Sequence, residues 1–76
     1  MSDDINQTRR KAIGNRIKEL RKKAGYSSYE TFATDNGMPR KNYWRVENGN
    51  NFTINTLLRL SEIHKITLEE FFKGID

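Results

Sequence analysis

The sequence predicts an all-α fold, a compact bundle of five short helices. Three observations carry this expectation. Apolar residues recur at steps of three and four and nowhere alternate as a strand would. Capping residues and glycines punctuate the chain at helix-length intervals. Finally, 76 residues of which 34% are hydrophobic supply one modest core, and no repeat, linker or second domain is expected.

The elements follow in order. Residues 1–8, polar apart from Met1 and Ile5, read as a flexible N-terminal arm, with regular structure starting near Thr8 and the folded domain covering residues 9–76. Ile13, Ile17, Leu20 and Ala24 mark one face of a first helix that Gly25 ends, while Lys22 and Lys23 complement the carbonyl end of its dipole. A second helix starts at Ser27 or Ser28. Ser27 and Glu30 have the spacing of a capping box, which favours Ser27 as the cap. That helix carries Phe32 and Ala33 inward and stops at Asn36-Gly37. Pro39, with no N–H and a φ near the helical value, stands at or just before the first turn and opens a third helix that runs to about Asn48.

The gap between these two helices is about three residues, the length of a helix-turn-helix corner. Ala33 supplies the small residue where the helices touch, and Gly37 the residue that tolerates positive φ. Beyond Gly49, Thr53 caps a fourth helix with a stripe of Ile54, Leu57, Leu60 and Ser61, and Phe52 and Leu57 are placed as a hydrophobic staple. Thr67 with Glu70 forms a capping box for a fifth helix, Ile66 with Phe71 its staple, and the helix ends near Lys73-Gly74.

Composition narrows the function. Net charge is +4, but residues 1–50 hold eleven Lys/Arg against six Asp/Glu, or +5, while residues 51–76 hold three against four, or −1. A polyanion is therefore expected on the first part of the chain. There are no cysteines, which removes disulfides, thiolate metal sites and thiol nucleophiles, and fits a reducing cytoplasmic location. The single histidine, His64, has no carboxylate cluster near it in sequence and reads as structural, so no metal is expected. Apolar runs reach only two residues, and neither a membrane span nor an export signal is expected. Nucleophile, base and oxyanion donors cannot be assembled from these residues, so neither catalysis nor a cofactor is expected.

The third helix carries the most informative chemistry. With Tyr43 and Val46 facing inward, Arg40, Lys41, Asn42, Trp44 and Arg45 point outward from a rigid helix. Arginine and lysine donate to O6 and N7 of guanine, and asparagine pairs with the edge of adenine, so this face suits a DNA major groove. Candidate phosphate contacts are Ser28 and Tyr29 at the start of the second helix, the Asn48-Gly49-Asn50 turn, and the basic residues Arg9, Arg10 and Arg16. Trp44 is placed either against DNA sugars or in packing.

Residues Ile13 to Phe72 resemble the Cro/C1-type (XRE-like) helix-turn-helix domains of phage repressors and bacterial regulators. The resemblance rests on Ala33, Gly37, Glu47 and Gly49 around the third helix, with Phe32, Tyr43 and Val46 at core positions. Ile17, Leu20, Arg21 and Gly25 are similar to the family's first helix, and Ile54, Leu57, Thr67, Leu68 and Phe71 to its last two. It implies a lambda-repressor-like fold with the helix-turn-helix at helices 2 and 3. It implies sequence-specific binding of double-stranded DNA by a transcriptional regulator acting through operator occupancy, as a weak homodimer on a palindromic site. It further implies base contacts at Arg40, Lys41 and Arg45 and a structural ion pair between Arg21 and Glu47. The chain departs from the family pattern around Ser28 and Tyr29, at Pro39, and at Lys65, which stands where a glycine often ends the fourth helix. The alternative is an antitoxin-like or adaptor protein whose main contact is a protein partner, a reading that exposed Phe71 and Phe72 would favour.

Overall fold

The computed structural model describes residues 2–50 and 53–75, with side chains from Ile5 onward. Among the described residues five helices follow one another: α1 (Ser2–Lys23), α2 (Tyr29–Asp35), α3 (Arg40–Glu47), α4 (Ile54–His64) and α5 (Leu68–Phe71). No described residue lies in a strand. The fold is an all-α bundle in which α2 and α3 pack together as a helix-turn-helix and α3 also packs on α1.

The helix boundaries correct two expectations and bear out a third. Residues 2–8, expected as a flexible arm, are helical, and the boundary drawn at residue 8 falls inside α1. The segment holds no glycine or proline, and a helix already nucleated by its packed half extends without a new nucleation cost. The cap of α2 is Ser28 rather than Ser27: its Oγ accepts from the N–H groups of Glu30 at 3.1 Å and Thr31 at 3.3 Å. The preceding turn explains the shift. Tyr26 N–H donates to the Arg21 carbonyl, and Arg21 Nη1 donates to Tyr26 O at 2.8 Å, so the chain is held through Tyr26 and Ser27 completes the turn. Pro39 stands just before α3, extended at φ −60° and ψ 129°, and Arg40 is the first helical residue.

Other ends form as the residue types require. Gly37 sits at φ +69°, with its own N–H on Thr34 O and that of Met38 on Ala33 O, so the corner closes in a Schellman motif. Thr53 caps α4 by accepting from Thr56 N–H at 3.1 Å, and Thr67 caps α5 by accepting from Glu70 N–H at 3.1 Å. The Glu70 carboxylate lies 3.5 Å from Arg16 Nη2. Lys65 closes α4 in the left-handed region at φ 55°, a conformation that costs an L-residue roughly 1–2 kcal/mol.

The core consists of Ile17 and Leu20 from α1, Phe32 and Ala33 from α2, Tyr43 and Val46 from α3, Leu57 and Leu60 from α4, and Phe71 from α5. Each large member contributes about 1.5–3 kcal/mol by leaving water. The stripe on α4 begins at Leu57, because Ile54 is 71% exposed at the helix start. Phe52, the other half of the expected staple, lies outside the described residues. His64 stacks on Phe32 with ring centroids 5.4 Å apart and planes at 7°, so the lone histidine is a core-edge ring joining α4 to α2.

Candidate nucleic-acid interface

The site is built on α3, and its rigidity comes from what lies beneath. Tyr43 is fully buried and Val46 nearly so, against Phe32 and the α1 core residues. At the end of the helix Glu47 turns inward to Arg21 of α1. Arg21 Nε donates to Glu47 Oε2 at 2.6 Å and Nη2 to Oε1 at 3.2 Å, a bidentate pair with both side chains at most 5% exposed. The carboxylate's hydrogen bond pushes the arginine's already high pKa up. Tyr43 lies beside this pair, and burial, with the nearby Glu47 charge, pushes its phenol well above the usual range. Its hydroxyl makes no well-formed hydrogen bond. Three buried side chains thus fix both the rotation and the tilt of α3.

With that face locked inward, Arg40, Lys41, Asn42, Trp44 and Arg45 are all exposed. Lys41, Arg45 and Asn48 follow at i, i+4 and i+7 and form one outward row. Trp44 is 46% exposed, on the flank of that row. On the other flank a groove of about 370 Å³ runs between α3 and α4, with Asn42 and Arg45 on one wall and Asn55, Thr56 and Arg59 on the other. Arg59 Nη2 donates to Asn36 O at 2.5 Å, tying α4 to the corner that precedes α3.

No protein-family model matches the chain, and no solved structure does. Over 65 residues it is 38% identical to the control protein C.MunI of Mycoplasma sp., an alignment that covers 84% of this chain and 88% of that protein. The chain belongs to the family of that control protein.

In this member of the control-protein family, the other expected contact residues are spread around α3. Ser28 and Tyr29 are half-buried at the start of α2, where the Ser28 hydroxyl is occupied by Glu30 and Thr31. Asn48, Gly49 and Asn50 form the turn after α3. Asn48 Nδ2 donates to Trp44 O at 2.8 Å and Asn50 N–H to Arg45 O at 2.8 Å. Arg9 and Arg10 are exposed on α1, and the backbone of Arg10 lies against Gly49.

Arg16, the remaining candidate phosphate contact, is engaged within the fold. Its Nε donates to Phe71 O at 3.1 Å and its Nη2 to Glu70 O at 3.0 Å, so it holds the carbonyl end of α5 against α1. A guanidinium placed over carbonyls at a helix end is satisfied where it lies.

Sequence reasoning missed a second set of residues. Lys11, Asn15 and Lys18 share one face of α1 and line a cleft of about 180 Å³ with Glu47 and Asn48. The signal was Gly14, a glycine inside a helix, which marks a close approach of another backbone. A Cβ there would stand 2.5 Å from Glu47 O and 2.9 Å from Gly49 N. Among the described residues, no helix is long and apolar enough to cross a membrane.

Proposed function

We propose that this protein binds a specific sequence of double-stranded DNA through α3 and regulates transcription by occupying an operator. The observation that carries the reading is the exposure of Arg40, Lys41, Asn42 and Arg45 on a helix whose opposite face is locked by Tyr43, Val46 and the Arg21–Glu47 pair. Arg40, Lys41 and Arg45 donate to guanine edges and Asn42 to adenine. Ser28, Tyr29, Trp44, Asn48, Gly49, Asn50, Arg9 and Arg10 meet sugar and phosphate and set the register. Affinity then falls steeply with salt. The similarity to a control protein supports a regulatory role, and the resemblance to Cro/C1-type domains supports a weak homodimer on a palindromic site in the cytoplasm.

The protein-partner alternative asked for exposed Phe71 and Phe72. Phe71 is fully buried and Phe72 half-buried against it, with ring centroids 5.1 Å apart, so that feature does not favour it. The test is selection of bound duplexes from a random library, repeated with Arg40→Ala and Arg45→Ala. An enriched motif is expected, with each variant losing about 1–3 kcal/mol and relaxing preference at one position. Absence of a motif, or full retention of preference by both variants, overturns the reading.

A further inference from the structure

We propose that the cleft between α1 and α3, bounded by Lys11, Asn15, Lys18 and Asn48, seats a phosphate of the duplex backbone. The inference rests on the reading of α3 as the DNA-reading helix and adds a wall to it that lies on α1.

Gly14 makes the cleft. Because its missing Cβ lets the α1 backbone meet Glu47 O and Gly49 N, the residues one turn before and after it, Lys11 and Lys18, bracket the last turn of α3. Asn15 lies between them on the same face, at the i, i+4, i+7 spacing that stacks side chains along one line. All three are exposed. The outward row of α3, Lys41, Arg45 and Asn48, ends at this same cleft.

The chemistry lining it is that of N–H donors around an anion. Glu47 forms part of the wall, yet both its oxygens are engaged by Arg21, at 2.6 and 3.2 Å, so it does not neutralise the lysines. Among the described residues neither Lys11 nor Lys18 has a carboxylate within ion-pair distance. Asn48 Nδ2 carries two N–H donors and uses one on Trp44 O. Two ammonium groups and two amides therefore converge where one oxyanion fits. A helix in a major groove has a sugar-phosphate chain along each side. The groove with Asn55, Thr56 and Arg59 flanks α3 on one side and the Lys11–Lys18 cleft flanks it on the other.

The test is duplex binding across a salt series with Lys11→Gln/Lys18→Gln, on the library-enriched duplex and on a scrambled one, against Lys65→Gln/Lys73→Gln as a control with the same loss of net charge. The expected result is a slope of log affinity against log salt shallower by about 1 for the cleft variant, the loss of one phosphate contact, and unchanged for the control. Both duplexes lose affinity equally, the enriched motif is unchanged, and the melting temperature stays that of the parent. A slope change no larger than the control's overturns the proposal. So does a loss confined to the enriched duplex, which would mean base contact, or a fall in melting temperature with the slope intact, which would mean that the lysines only complement the α3 dipole. In each of these cases the losses at Arg40→Ala and Arg45→Ala still stand, so failure of the cleft is distinguished from failure of α3. If the parent protein binds no duplex, both readings fall together.

Discussion

At Gly14 a single absent carbon sets the distance between two helices. A methyl group there meets Glu47 O at 2.5 Å and Gly49 N at 2.9 Å, both backbone atoms, which cannot swing aside as a side-chain tip can. Two effects compete in Gly14→Ala. Alanine improves the intrinsic helix preference of the position by about 1 kcal/mol, while overpacking against fixed backbone costs about 1–3 kcal/mol. Relief of the clash requires α1 to lift off α3, which also loosens the Arg21–Glu47 pair, so the clash dominates. Gly14→Ala is expected to be less stable than the parent by about 1–2 kcal/mol in urea unfolding, and equal stability would show that the crossing has slack.

At the scale of elements, the helices are tied at their ends by arginines. Arg21 joins α1 to α3, Arg16 joins α1 to α5, and Arg59 joins α4 to the corner before α3. Two of these, Arg16 and Arg59, donate to carbonyls at a helix end and act as tertiary caps. The Arg21–Glu47 pair differs because both partners are buried. Removing one leaves an uncompensated charge, and Arg21→Met is expected to cost about 3–5 kcal/mol, whereas Arg21→Met/Glu47→Leu recovers most of that loss. A double-mutant cycle by thermal or urea unfolding measures the coupling, and equal losses in the single and double variants would refute it.

For the whole molecule, His64 couples stability to pH. Its ring stacks on Phe32, its Nε2 is buried without a partner, and burial, then the charge of Arg16, lowers its pKa below the ordinary 6.5. The surrounding groups are Arg16 and Lys23 from α1 and Glu70 from α5, and the last lies against Arg16. The folded protein therefore binds fewer protons at this site than the unfolded chain. The contribution to stability is fully present above 6.5 and is lost as pH falls through the lower folded value. The melting temperature of the parent is expected to fall between about pH 7.5 and about pH 5.5 by more than that of His64→Leu, and parallel falls would remove His64 as the cause.

The sequence by itself determined the helix count, the corner at Ala33 and Gly37, the caps at Thr53 and Thr67, and most of the core, because these depend on local spacing and residue type. It also placed Arg40, Lys41, Asn42 and Arg45 on the exposed side of α3, since a period of 3.6 leaves no other side once Tyr43 and Val46 face inward. Tertiary structure decided the rest. Ser28 displaced Ser27 as a cap because Arg21 holds the preceding turn, a contact that local spacing does not encode. Arg16 is turned toward α5 because that helix presents the Glu70 and Phe71 carbonyls beside it from 54 and 55 residues away. Lys11, Asn15 and Lys18 became neighbours of the reading helix only because Gly14 lets two backbones touch. A periodic pattern shows which way a side chain points along its own helix, and long-range packing determines what it meets there.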